Sequence, residues 1–200
     1  MRKLMRFWIG RVFRILDLTI IRTIYGRHDR KMAFEGDESM ILFLDTEFTD
    51  ISPEMVLLSV AMVSADGRHE FYGERNDVPL RICSRFVREA VLPLMTAQPP
   101  ISGDFANLRT RLRAFIEGLP EQGQLACDSF YDIDLLTWVI GEPWPKKLAP
   151  NRLDLNQWTS IPVFANAQAL YHESGHPYHH ALNDVHGLRA GYLAWLKNAS

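Results

Sequence analysis

Cysteine is scarce in this sequence, which excludes two classes of small protein. Among 200 residues only Cys83 and Cys127 are cysteines, and they lie far apart in the chain. Two cysteines without motif spacing form neither a disulfide framework nor a Cys-rich zinc site. A chain of this length can bury a hydrophobic core without such crosslinks. We therefore predict a fold held by packing, in a reducing, cytoplasmic compartment.

Long apolar runs, internal repeats and low-complexity tracts are also missing. The apolar stretch near the N-terminus is interrupted by Arg11, Arg14 and Asp17. It therefore resembles neither a membrane-spanning helix nor a secretory signal. The same stretch is rich in arginine like an organelle transit peptide but has almost no serine. Import into an organelle is the alternative to the cytoplasmic location.

A strong excess of one charge is absent from the whole chain but present in its parts. The formal net charge is only −2, yet residues 1–31 hold nine Lys and Arg against two Asp and Glu. The remaining residues hold 13 Lys and Arg against 22 Asp and Glu. An acidic body is not typical of proteins that hold nucleic acid by broad electrostatics. It suits a site where clustered carboxylates need cations before they accept a phosphate.

The basic N-terminal part is predicted to be an amphipathic helix followed by a linker. Over residues 3–17, apolar side chains recur at about 100° per residue and form one face. Residues 18–39 lack this pattern, so we place the boundary of the main domain near residue 40. The helix could pack on the domain or on another subunit, and cationic helices also lie on anionic lipid. A third interpretation is that translation starts at Met32 or Met40. The predicted apolar face consists of Met5, Trp8, Ile9, Val12, Ile15 and Leu16.

Residues 40–200 have the alternation expected of an α/β domain with a mixed sheet. Three apolar runs predict a meander of strands, and the sequence Asp66-Gly67 between the second and third favours a type I′ hairpin turn. Helices and strands alternate after the meander, which predicts a central sheet flanked by helices. The predicted strands are 40–45, 55–64, 69–72, 124–128 and 152–155. The predicted helices are 80–95, as far as Pro93, and then 104–117, 131–140, 163–173 and 180–196.

The first cluster of candidate functional residues is Asp45-Thr46-Glu47, at the end of the first strand. Residues two apart in a strand point to the same face, so both carboxylates can reach one site. Two like charges side by side are costly unless cations lie between them. Solvated turn acids are the alternative interpretation of this short motif.

Two further clusters follow the fourth strand and open the last helix. Asp128 and Asp132 flank the start of a helix, where an acid is also favoured simply by the helix dipole. His179 precedes the last helix, and Asp184 lies in its first turns. Histidine titrates close to neutral pH and suits a general base, although a polar loop without chemistry is the alternative. All three clusters are predicted to meet at one edge of the sheet, whereas chance acids would scatter.

The three clusters resemble the three motifs of the DEDDh superfamily of 3′–5′ exonucleases. Residues 42–48 (LFLDTEF) match the first motif, and residues 128–136 (DSFYDIDLL) resemble the second. Residues 179–184 (HHALND) match the third, a histidine followed after four residues by an aspartate. The resemblance covers about residues 40–196 and is closest to small bacterial 3′–5′ exoribonuclease-like domains. It implies a ribonuclease H-like fold.

The resemblance also implies a site and a reaction. Asp45, Glu47, Asp132 and Asp184 would bind two divalent cations, Mg²⁺ or Mn²⁺, and His179 would activate water. The substrate would be a single-stranded 3′ end, with RNA favoured over DNA, and the products nucleoside 5′-monophosphates. Phe48 and Thr49 directly follow Asp45-Thr46-Glu47. We predict that Phe48 stacks on the terminal base and that Thr49 contacts sugar or phosphate, and core packing is the alternative for Phe48. Many members are dimers, so a homodimer is expected by analogy.

One departure from the family pattern concerns the second motif. The family usually has asparagine where this chain has Asp128. This extra acid could change metal affinity or replace Asp132 as the ligand. A non-catalytic nucleic-acid-binding module on the same fold is the alternative function. Such a module tends to lose a ligand, and this chain has all five positions.

Overall fold

The apolar run that begins at Met40 forms the central strand of a mixed sheet. In the computed structural model, residues 40–95 and 101–199 are described. The helix predicted at residues 3–17, and the linker up to residue 39, lie outside them. The described part is an α/β structure with six strands and four α-helices, as predicted from the alternation of apolar runs.

The sheet is antiparallel on one side of its first strand and parallel on the other. Its strands are β1 (Met40–Phe48), β2 (Leu57–Ser64), β3 (Glu70–Arg75), β4 (Ser102–Gly103), β5 (Gly123–Cys127) and β6 (Leu148–Asp154). Their spatial order is β4-β3-β2-β1-β5-β6. β1 pairs antiparallel with β2 and parallel with β5, so the carboxyl ends of β1 and β5 lie at the same edge. This edge receives the candidate acids.

Two pairs of helices cover the two faces of the sheet. They are α1 (Phe105–Glu117), α2 (Phe130–Ile140), α3 (Pro162–Glu173) and α4 (Ala181–Ala199). Leu42 and Leu44 of β1 belong to the hydrophobic cluster with α1 and α2, whereas Phe43 belongs to the cluster with α3 and α4. Successive side chains of a strand point to opposite faces. Asp45 and Glu47 therefore lie on the face that α4 covers.

Residues 80–95 do not form the single α-helix that was predicted. They contain two short 3₁₀ segments, Leu80–Ile82 and Leu92–Leu94, and a π-helical segment, Val87–Val91. Pro93 lies within Leu92–Leu94, and a proline lacks the N–H that continues an α-helix. The apolar residues of this segment nevertheless form a small cluster with Leu58.

The hairpin between β2 and β3 is present, but its turn is not of type I′. That turn requires positive φ at both central residues, and only Gly67, with φ 75°, has it. The Asp66 carboxylate instead accepts hydrogen bonds from the Ser64 hydroxyl and the Arg68 N–H, at 2.6 and 2.9 Å. Side-chain hydrogen bonds thus set the turn.

The remaining strands differ from the prediction at the edges of the sheet. β6 begins at Leu148 and includes Pro150, whereas the predicted strand begins only at residue 152. Proline is tolerated in an edge strand, and β6 is one. The two-residue strand β4 was not predicted, since two residues carry no periodic pattern. None of the helices within residues 40–95 and 101–199 has the length and hydropathy needed to cross a membrane.

Candidate metal centre

β1 presents two carboxylates to one site because it stays extended beyond Asp45. We predicted that the strand ends at Asp45, but it continues to Phe48, with an irregularity in its pairing between Glu47 and Phe48. Asp45 and Glu47 face Ala61 and Ser59 of β2, on the side covered by α4. The alternation along one strand thus places both carboxylates together, as the spacing predicted.

The junction of β5 and α2 supplies the next two acids. β5 ends at Cys127, so Asp128 follows at the same edge as the end of β1. The Ser129 hydroxyl accepts a hydrogen bond from the Tyr131 N–H and caps α2. Asp132 is in the first turn of this helix and is only 2% exposed. An acid that only stabilises a helix start at the surface would be solvated. The burial of Asp132 therefore argues against this alternative interpretation.

The start of α4 brings Asp184 to the site and fixes the backbone of His179. Asp184 lies in the first turn of the helix, and its Oδ2 accepts a hydrogen bond from the His179 N–H at 2.9 Å. His179 has φ 69°, in the left-handed region that non-glycine residues rarely adopt. Such a conformation persists only where its surroundings hold it, and it is common at functional sites.

The five predicted residues and Asp128 form two neighbouring groups of potential ligands. In the first group, Glu47, His179 and Asp184 each offer one atom, and these atoms lie within 4.8 Å of one another. In the second group, Asp45, Asp128 and Asp132 do the same. Asp128 thus lies in the same group as Asp132. Three segments distant in sequence therefore converge, as the motif order predicted.

The carboxylates of these groups have buried oxygens that nothing in the described structure satisfies. Asp45 Oδ2, Asp132 Oδ2 and Asp184 Oδ1 are buried and have no hydrogen-bond partner there. Within the described part of the chain, the arginine side chains form ion pairs with other acids, such as Asp66, Asp77 and Glu89. A buried charged oxygen without a partner is costly. A hard, oxygen-preferring cation such as Mg²⁺ or Mn²⁺ fits this donor set.

Thr46 orients Asp132, a role that the sequence analysis missed. Its backbone N–H and its hydroxyl both donate to Asp132 Oδ1, at 3.1 and 2.7 Å. Thr46 points to the face opposite Asp45 and Glu47, because it lies between them in the strand. One oxygen of Asp132 is thereby fixed and the other is left for a cation. A hydroxyl residue between the two acids was the only signal in the sequence.

Phe48 and Thr49 occupy different environments beside the acids. Phe48 is half-buried, packs on the cluster with α1 and α2, and lies 5.9 Å from the Tyr131 ring. Thr49 is 2% exposed, and its hydroxyl accepts a hydrogen bond from the Val56 N–H at 3.0 Å. Thr49 therefore stabilises the turn after β1. The predicted contacts of both residues with substrate stay predictions.

Crowding and burial raise the pKa values of the clustered acids. Burial, and then the charges of Asp132 and Asp184, raise the pKa of Asp45 well above its ordinary value. Burial, followed by Asp184 and Asp132, raises the pKa of Glu47 to about 8. Burial also raises the pKa of Asp132 to about 7, against the opposing effect of its Thr46 hydrogen bonds. It raises the pKa of Asp184 to about 7 as well. Without cations, the folded protein thus holds protons that the unfolded chain releases.

These shifts predict that the chelated protein becomes less stable as the pH rises. A carboxyl group with a raised folded-state pKa stabilises the fold fully below about pH 4, and this contribution is lost towards about pH 8. In EDTA we expect the melting temperature to fall by several degrees between these limits, since 1 kcal/mol corresponds to about 2–4 °C at this size. Excess Mn²⁺ should remove most of the fall at the upper limit. A melting temperature that rises with pH in EDTA would contradict this account of the cluster.

The chain was also compared with known proteins. It matches no protein-family model, and no curated protein matches it significantly.

Proposed function

We propose that the chain is a metal-dependent 3′–5′ exonuclease that hydrolyses phosphodiester bonds of single-stranded nucleic acid, with RNA favoured. The observation that carries this proposal is the meeting of two ligand groups, Glu47–His179–Asp184 and Asp45–Asp128–Asp132, at one sheet edge. A pair of adjacent cation sites is the arrangement that phosphoryl-transfer enzymes use to act on both oxygens of a displacement.

The strand order supports a ribonuclease H-like fold for the same domain. Three antiparallel strands in sequence are followed by strands that lie parallel to the first, with helices on both faces. In the superfamily that the motifs resemble, acids lie at the end of the first strand and just after the strand that pairs parallel with it, which is β5 in this chain. The fold and the motifs thus lead independently to the same edge.

The residues present fit two divalent cations. Glu47 and Asp184 would hold one, and Asp45, Asp128 and Asp132 would hold the other. When bound, the cations would neutralise charge that develops on the phosphate during the displacement. The unsatisfied oxygens of Asp45, Asp132 and Asp184 are the atoms available for this binding.

His179 is positioned to accept a proton from the attacking water. A nitrogen of its ring lies within 4.8 Å of carboxylate oxygens of Glu47 and Asp184. The hydrogen bond from its own N–H to Asp184 keeps the loop in place, and its ring lies edge-on against Phe86, 4.9 Å away. A base held by its backbone while its ring is exposed can reach a substrate that arrives from solvent.

The partly exposed Phe48 is the candidate platform for the terminal base. It follows Glu47 directly, and its ring adjoins Tyr131, so an aromatic surface borders the acids. Every base has a π-face, so stacking binds a single strand without strong sequence preference. The preference for RNA comes only from the closer motif resemblance, and a DNA exonuclease is the alternative. A non-catalytic binding module is disfavoured because a chain that only binds has no need of all five positions.

The direct test is digestion of labelled strands. The purified full-length protein is incubated with Mn²⁺ and either RNA or DNA labelled at its 5′ end or its 3′ end. We expect 5′-labelled strands to shorten stepwise, and 3′-labelled strands to release mononucleotide at once. Nucleoside 5′-monophosphates should be the products, and EDTA should stop the reaction. Internal cleavage would contradict an exonuclease, and binding without cleavage would favour the non-catalytic module.

A further inference from the structure

His172 lies beside the candidate metal centre, although no sequence motif includes it. It belongs to the last turn of α3, and its side chain is 1% exposed. Its Nδ1 lies 2.8 Å from the carbonyl oxygen of His176. A carbonyl oxygen only accepts hydrogen bonds, so Nδ1 donates. This bond ties α3 to the loop that carries His179.

The ring of His172 also supports this loop through stacking. The centroid of the Tyr178 ring is 3.6 Å away, and the two planes differ by 23°. Tyr178 directly precedes His179, whose backbone has the left-handed conformation. The ring therefore contacts the residues on which the placement of His179 depends.

The opposite edge of the same ring faces Asp184. His172 Nε2 lies 3.7 Å from Asp184 Oδ1, and both atoms are buried with no hydrogen-bond partner among the described residues. The other oxygen of Asp184 accepts the bond from the His179 N–H. One ring thus contacts both the ligand carboxylate and the loop of the candidate base.

Gly187 provides the space that the ring occupies. A Cβ atom at this position would lie 2.5 Å from His172 Nε2, closer than any ordinary contact. Gly187 is interior to α4, where glycine costs about 1 kcal/mol relative to alanine. Its presence in the helix is explained by the approach of the ring.

We propose that His172 is a positioning residue that fixes Asp184 and His179 relative to each other. This inference rests on the proposed exonuclease function for its catalytic consequence. His172 does not touch the reacting atoms. It acts by holding the carboxylate of α4 and the loop before it in one arrangement. Residues that orient metal ligands in this way typically contribute 10–100-fold to metal affinity or activity.

The test compares four variants of the full-length protein. H172F keeps a ring that can stack on Tyr178 but has neither nitrogen. H172N returns an amide N–H close to the position of Nδ1. G187A displaces the ring without changing its chemistry. H186F is the matched control, because His186 is a histidine of α4 whose Nε2 lies 2.8 Å from Glu70 Oε2, and neither residue belongs to the two ligand groups. The measurements are kcat and KM on labelled RNA with Mn²⁺, thermal melting, and hydrogen exchange of the His179 amide.

We expect H172F and G187A to lower kcat about 10–100-fold with KM changed less than about threefold, because the substrate-binding surface is not altered. The His179 amide should exchange faster in both. H172N should recover most of the protection but only part of kcat, because it restores the Nδ1 bond and not the ring edge that faces Asp184, and H186F should match the wild type. Wild-type kcat in H172F would overturn the proposal. So would equal losses in H172F and H172N that follow a fall in melting temperature, since these indicate a purely structural role.

Hydrogen exchange separates this inference from the proposed function. If the wild-type protein digests no strand with any divalent cation, the exonuclease proposal fails. Faster exchange of the His179 amide in H172F, with recovery in H172N, would still support the positioning role. Unchanged exchange in an active enzyme would overturn the positioning role alone.

Discussion

Replacing Asp45 by asparagine should reduce exonuclease activity at least about a thousandfold and leave the protein folded. Loss of a ligand to a catalytic cation removes several kcal/mol of transition-state stabilisation, and each 1.36 kcal/mol is a factor of ten in rate. Asp45 is grouped with Asp128 and Asp132 and also interacts electrostatically with Asp184, so under the proposed function its loss would disturb the binding of both cations. Single-turnover cleavage of a labelled strand with saturating Mn²⁺ measures the effect.

Two controls accompany this variant. Asp134 is an exposed aspartate of α2, two residues after Asp132. We expect D134N to keep wild-type activity. D45N should also melt at a higher temperature than the wild type at about pH 8 in EDTA, because one of the crowded negative charges is gone. Cleavage by D45N at the wild-type rate would show that the reaction takes place at another site.

Replacing His179 by alanine should reduce kcat by about 10²–10⁴-fold, the usual contribution of a general base. The ring is exposed and contributes little to the core, so the melting temperature should change by less than a few degrees. The affinity for Mn²⁺ should fall much less than in D45N, because Glu47 and Asp184 remain. This pattern, with lost turnover and retained cation binding, distinguishes a base from a principal ligand.

The comparison is made with H69A, since His69 lies in the β2–β3 hairpin and has no part in the site. H69A should keep wild-type kcat. Equal activity of H179A and wild type would remove His179 from the mechanism. A parallel loss of Mn²⁺ binding and turnover in H179A would assign it to the cation site instead.

The periodic spacing of apolar residues predicted most of the strands and helices. The apolar runs of β1 and β2 and the period of α1 are each long enough to be recognised from their own residues, and Asp104 caps α1 as its side chain suggests. The segment from Leu80 to Leu94 was misjudged because its apolar residues suit any helical geometry, whereas only packing decides between α, 3₁₀ and π. β4 depends wholly on its neighbour β3 and has no signal of its own.

The acids of the site were predicted because the carboxyl ends of adjacent parallel strands, such as β1 and β5, must meet at one edge. Their supporting residues could not be predicted in this way. Thr46 reaches Asp132 across 86 positions of sequence, and the role of His172 depends on how closely α3 and α4 approach at Gly187. Such contacts are set by tertiary packing, and neither residue belongs to a motif.

The presence of Asp128 has a consequence for the products of the proposed reaction. With all acids ionised, Asp45, Glu47, Asp128, Asp132 and Asp184 carry one more negative charge than two divalent cations neutralise. A nucleoside monophosphate is itself a dianion near neutral pH, so under the proposed function this surplus would weaken its retention after cleavage. An asparagine at the same place would leave the occupied site electrically balanced and more prone to inhibition by its own mononucleotides.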